Sequence, residues 1–156
     1  MPGRYALSAA LTLPGWPTLR SITSSDGELT DTLLNLESGD LTNLVITITD
    51  TPATSVEVRV QPVPKDEMDA IWVRVFSADR RLWQEPFAAA RRFRAMRASA
   101  KGVATIAGLP PGEYLVTTAA ENASDWVNRA TLEKISSLAE RIRIAESEKL
   151  VVEVRR

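Results

Sequence analysis

Two groups of side chains in this 156-residue chain have the types and spacing to do chemistry. One is Trp83 with Arg80 and Arg81 just before it. A flat indole face stacks on a sugar ring, and a guanidinium holds a carboxylate or phosphate bidentately. The other is Arg91, Arg92, Arg94 and Arg97, four cations within seven residues. From Ile71 to Lys101 there are seven Arg and one Lys against Asp79 and Glu85, a local balance of +6. The net charge of the whole chain is −1, so the remainder carries −7. Such a face can meet an anionic glycan, a lipid headgroup or an acidic partner. It can equally be a solvated strand whose charges stop edge-to-edge pairing. The candidate contacts for a ligand or partner are Trp83, Arg80, Arg81, Arg91, Arg92 and Arg94.

Most other chemistry is closed. The chain has no Cys and no His. That removes disulfides, thiolate nucleophiles, zinc sites built from Cys or His, Ser-His-Asp triads and histidine acid–base work. It leaves the compartment open. Carboxylate acid–base catalysis needs a pKa shifted within a cleft, whereas Asp66–Glu67 and Glu146–Glu148 fall in turn sequences. Ser24–Glu28 is too short for a calcium loop, which alternates oxygen ligands and closes on a bidentate acid. Neither catalysis nor a cofactor is expected. Nucleic acid is not expected either, since Phe93 alone interleaves with the arginines, where a single-strand binder stacks bases on several aromatics. At 44% apolar and 25% charged, the composition is globular. No apolar run reaches the roughly 18 residues of a membrane span. Thr12, Pro14 and Pro17 break the N-terminal stretch, so no signal peptide is visible.

The elements that must position these residues are mostly strands. Residues 1–11 open on a Pro2–Gly3 turn, and Leu13–Pro17 is a loop around Trp16. Leu19–Thr23 and Thr32–Leu36 are short strands, with an Asp26–Gly27 hairpin turn between them. Glu37–Asp40 is a further turn. Leu44–Thr49 is the strongest β run of this half, rich in β-branched residues. Pro52 breaks the chain, because it cannot donate to a ladder. Val56–Val60 alternates with period two, and Pro62–Glu67 is an exposed connection. Ile71–Phe76 is apolar on both faces except at Arg74, which places it centrally, with Trp72 in the core. Ala78–Pro86 is a loop that leaves Trp83 exposed. Arg91–Ala98 reads as a strand, because it feeds the turn before Val103–Ile106. Ser124 or Asp125 caps a helix over Trp126–Ala139 that packs through Val127, Thr131, Ile135 and Leu138. Arg141–Ala145 and Leu150–Arg155 close the chain.

One turn organises the whole. Pro110 and Pro111 fix φ, Gly112 supplies a positive φ, and Tyr114 starts the next strand. Tyr114 reads as a structural tyrosine that pins a sandwich corner through its hydroxyl. The same words open the chain as Pro2-Gly3-Arg4-Tyr5. The echo continues, since Leu34-Asn35-Leu36 matches Ile142-Arg143-Ile144, and Leu44–Ile48 matches Leu150–Val154. Residues 1–52 are therefore expected to be the C-terminal part of one β unit, lacking its opening strands, and 53–156 one complete unit. Left uncovered, the apolar face of the first unit would drive self-association.

The second unit resembles the carboxypeptidase regulatory-like domain, a prealbumin-like or Ig-like β-sandwich. Gly102–Tyr114 carries the likeness, with its Leu-Pro-x-Gly-x-Tyr end. Val75–Trp83 is similar to a segment of long tandem-domain bacterial proteins. Pro62 and Pro64 stand where that family has Gly, and Val103 where it has an aromatic. The resemblance implies a mainly β fold, a seven-stranded sandwich with one short helix, preceded by a partial unit of the same kind. It also implies a non-catalytic accessory module, periplasmic or extracellular, whose partners are neighbouring domains of a longer chain. The wider fold class includes carbohydrate binders, so a glycan bound through Trp83 and the Arg cluster is the alternative.

Overall fold

The computed structural model describes residues 3–7, 18–37, 41–50, 54–61, 71–120 and 125–155. Among the described residues, five strands lie in the first half: β1 (Arg4–Ala6), β2 (Thr18–Ser24), β3 (Gly27–Glu28), β4 (Leu33–Asn35) and β5 (Val45–Thr49). The second half holds β6 (Ser55–Gln61), β7 (Trp72–Ser77), β8 (Phe93–Arg97), β9 (Val103–Ala107) and β10 (Gly112–Ala119). Helix α1 (Arg129–Ser136), β11 (Glu140–Ile144) and β12 (Lys149–Arg155) follow. The protein is mainly β. Its second half is a sandwich of seven strands, with the helix between the fifth and sixth, as the sequence predicts.

One sheet of the sandwich has the order β11-β10-β7-β8 and the other β12-β6-β9. All pairings are antiparallel except β6 with β12, which is parallel. Alternation drives the packing. Val56, Val58 and Val60 point inward from β6 and meet Val73 and Val75 of β7 and Tyr114 and Val116 of β10. The opposite face of β7 is also covered. Phe76, Leu115 and Phe93 are register partners on one face, and they pack with Trp83, Trp126 and Leu132. A central strand buried on both faces reads as a nearly continuous apolar run, as the sequence of β7 does.

In the first half, β3-β2-β5 form one sheet and β1-β4 another. The Asp26–Gly27 turn closes β2 onto β3, with Gly27 at φ +123°. The echo of sequence is also an echo of register. Tyr5 pairs with Leu34 and Arg4 with Asn35, as Tyr114 pairs with Ile142 and Glu113 with Arg143.

Several expectations change. The strand expected from Arg91 starts at Phe93, because Ala90–Arg92 close a 3₁₀ turn in which the Arg92 N–H donates to Ala89 O at 2.8 Å. The helix is shorter than Trp126–Ala139. Its cap is Asn128, not Ser124 or Asp125; the Asn128 side chain accepts from the Thr131 N–H at 2.9 Å. Its buried residue is Leu132, while Leu138, past the helix end, is 80% exposed. Trp72 begins its strand and is half-buried, not core. The loop around Trp16, the Gly39–Asp40 turn, the Pro52 break, the connection through Pro62, Pro64, Asp66 and Glu67, and Ser124 lie outside the described residues.

Candidate functional site

Both candidate groups sit on the segment from 78 to 97, which covers the outer face of β7, β8 and β10. The Asp79 side chain accepts from the Arg81 N–H at 3.0 Å and caps a 3₁₀ turn over Arg80–Trp83. That turn swings the indole inward. Trp83 is 1% exposed, and its Nε1–H donates to Ser77 O at 2.8 Å. Its ring lies 5.9 Å from that of Phe76, with the Arg80 guanidinium 5.4 Å from the ring centroid. The exposed Trp83 expected from the sequence is thus corrected: the outward face of Phe76 needed a cover, and the indole supplies it. Arg81 is exposed and pairs with Asp79 at 2.6 Å. Hydrogen bonds from the Arg81 side chain hold the Asp79 carboxyl below the usual carboxylate range.

Arg91 and Arg92 turn the other way, into the first half of the chain. Both converge on Asp31, in the turn between β3 and β4. Asp31 sits at φ 61°, a left-handed conformation that Asp tolerates better than most residues. Arg91 Nε donates to Oδ1 at 2.6 Å and Nη2 to Oδ2 at 3.1 Å, while Nη1 donates to Leu19 O at 2.7 Å. Arg92 Nε donates to Oδ2 at 2.5 Å. Arg92 Nη1 donates to Pro111 O and to the Tyr114 hydroxyl, each at 3.2 Å. Tyr114 in turn donates to Pro110 O at 2.7 Å. One chain of bonds thus runs from Asp31 through Arg92 to the organising turn, while Arg91 ties the same carboxylate to the Leu19 carbonyl.

Burial pushes the Asp31 carboxyl up, but hydrogen bonds from Arg91 and Arg92, together with their charges, outweigh it and hold it low. Burial pushes the Tyr114 hydroxyl up against the opposing charge of Arg92. Gly112 has φ +153°, the positive value expected of it. A Cβ there would sit 3.0 Å from Arg92 Nη1.

The six candidate residues therefore do not share one face. Arg91 and Arg92 stitch the two halves, and Arg80 and Arg81 flank the buried indole. Arg94 folds back, its Nη1 donating to Ala90 O at 2.8 Å. Sequence reasoning missed Asp31, whose partners lie 60 and 61 residues away. It also missed the Arg4–Glu85 ion pair between the same two halves.

A cleft of about 740 Å³ runs along the seam, lined in part by Arg4, Asp31, Asp79, Arg81, Glu85 and Glu113. Its charges are answered from within. Arg4 pairs with Glu85, Arg81 with Asp79, and Arg141 with Glu113 at 2.6 Å. Among the described residues, no group of three or more Asp or Glu side chains is placed to hold a metal ion. Among them, too, no helix is long and apolar enough to cross a membrane.

No protein-family model matches the chain, and no curated protein matches it. Among solved structures it is similar to the TIE protein of Bacillus anthracis, at 14% identity and a TM-score of 0.40, over 93% of this chain and 32% of that one. It is also similar to BcpA, the major pilin subunit of Bacillus cereus, at 10% identity and a TM-score of 0.37, over 79% of this chain and 35% of that one. The chain spans about a third of the length of each.

Proposed function

We propose that the chain is a non-catalytic β-sandwich module that spaces or joins domains of a longer extracytoplasmic protein. Its two β units, residues 1–52 and 53–156, act as one segment. The observation that carries this reading is the clamp in which Arg91 and Arg92 both hold Asp31 and Arg92 goes on to Tyr114. It spends the most distinctive charges of the sequence on an internal joint. A buried ion pair costs desolvation; in this reading what it supplies in return is the fixed geometry that a spacer needs between its units. The likeness of Gly102–Tyr114 to carboxypeptidase regulatory-like domains agrees with an accessory role. A sugar site needs an open aromatic face, and Trp83 offers none.

Small-angle scattering of the wild type and of Asp31→Ala tests the joint. The wild type is expected to fit one orientation of the two units, and the variant to show a broader distribution of distances. Identical, broad distributions for both would overturn the reading. Saturable binding of one glycan class on an array would replace it with the carbohydrate-binding alternative.

A further inference from the structure

The clamp on Asp31 is built unequally from its two sides. Arg91 and Arg92 both belong to the second half, on the 3₁₀ turn over Ala90–Arg92. The Arg92 N–H is fixed on Ala89 O at 2.8 Å, and its Nη1 on Pro111 O and the Tyr114 hydroxyl. Tyr114 is buried and is itself tied to Pro110 O. All of these anchors lie in the second half. The first half supplies the Asp31 carboxylate and the Leu19 carbonyl. The donors around Asp31 therefore have a frame of their own, and the carboxylate is what fills it.

Three N–H groups converge there. Arg91 Nε and Nη2 approach as a fork, and Arg92 Nε comes from a second side. A planar guanidinium fork matches the two oxygens of a carboxylate. The two arginine side chains keep only 20% and 19% exposure. Without the carboxylate, two largely desolvated cations would lie side by side, and an anion of the right size would relieve them. The place is also within reach of solvent. Asp31 and Arg92 both line the cleft of about 740 Å³, beside Thr30, Thr32 and Gly112.

We infer that Arg91 and Arg92 form a carboxylate socket that belongs to the second half, with Asp31 as its tethered occupant. A small carboxylate from solution takes the place of Asp31 when that side chain is removed. The inference deepens the spacer reading and rests on the same clamp: it names what the second half receives from its neighbour as one acidic side chain.

Chemical rescue of the full chain tests the socket. Asp31→Gly removes the atoms of acetate, and glycine tolerates the φ of 61° at that position. Asp31→Ala removes only those of formate. Asp31→Asn keeps the volume and fills the place without a charge. A ligand that binds the folded state alone stabilises it in proportion to ln(1 + [L]/Kd). Asp31→Gly should therefore gain about 3–6 °C in melting temperature at acetate about ten times its Kd, over sodium chloride of the same ionic strength. Asp31→Ala should gain more from formate than from acetate. The wild type and Asp31→Asn should gain nothing beyond chloride, because their sockets are filled. Arginine Nε–H resonances give a second readout. In Asp31→Gly two of them should move with acetate along one binding curve, and adding Arg91→Gln should abolish the response. If Asp31→Gly is too unstable to melt cooperatively, acetate should restore its wild-type circular dichroism. An Asp31→Gly that responds to acetate no more than to chloride in any of these readouts would overturn the proposal. So would an equal gain in Asp31→Asn, which would make the effect a general one of acetate. Rescue by acetate in a chain whose wild-type scattering shows many orientations would sink the spacer reading and leave the socket standing.

Discussion

Asp31 holds two guanidinium groups on one carboxylate, with only 7% of its side chain exposed. Removing one partner from a buried charge network leaves the others desolvated and unmatched, a loss of about 3–5 kcal/mol when burial is complete. Arg91 and Arg92 keep 20% and 19% exposure, so Asp31→Ala should cost less, about 2–3 kcal/mol in denaturant titrations. The pH dependence follows from the lowered carboxyl. A depressed folded pKa adds stability that is fully present above the unfolded value of roughly 3.9. That stability is lost as pH falls through the lower folded value. Stability should therefore fall off more shallowly for Asp31→Ala than for the wild type below about pH 4; parallel acid profiles would refute the role given to this carboxylate. At Gly112 the conflict is steric. A side chain must adopt φ +153° and displace Arg92 Nη1, which is already tied to Pro111 and Tyr114. Gly112→Val should destabilise by roughly 1–3 kcal/mol, and an unchanged thermal melt would count against it. Gly112 and Tyr114 were legible because turn chemistry is local. Asp31 was not, since nothing in its neighbours announces a partner about sixty residues away.

At the scale of elements, period-two alternation placed β6, an apolar run on both faces placed β7, and the turns at Ala100–Gly102 and Pro110–Gly112 placed β9 and β10, each close to where it lies. These strands are legible because alternation, continuous apolarity and turn chemistry are all local signals. The 3₁₀ turns were not, because their residues are fixed by what they cover: Trp83 is inward because Phe76 needs a lid. The helix was misplaced at both ends for a related reason. Ser124 and Asp125 have good capping chemistry, but Asn128 is the residue whose side chain meets a free N–H, that of Thr131. An eight-residue helix has little stability of its own, so its cap and Leu132 carry it. Asn128→Ala should lower stability by about 1 kcal/mol, and Asp125→Ala should lower it less; the reverse order in thermal melts would show that the cap is misassigned.

At the scale of the molecule, the first and second halves of the chain are joined by polar bonds. Arg91 and Arg92 reach Asp31, Arg91 also reaches the Leu19 carbonyl, and Arg4 pairs with Glu85. Such bonds are directional, so they fix an angle between units where an apolar contact would let them slide. Most strands of both halves were visible in the chain, whereas this joint was hidden by its own residues. A cluster of arginines reads as a surface until its acid is found. The most direct measurement of the joint is a set of residual dipolar couplings from backbone amides of both units in one weakly aligned sample. A single alignment tensor should fit β2–β5 together with β6–β12 in the wild type, and separate tensors should be needed in Asp31→Ala. Separate tensors in the wild type would contradict the account, because the clamp would then not hold the two units in one orientation.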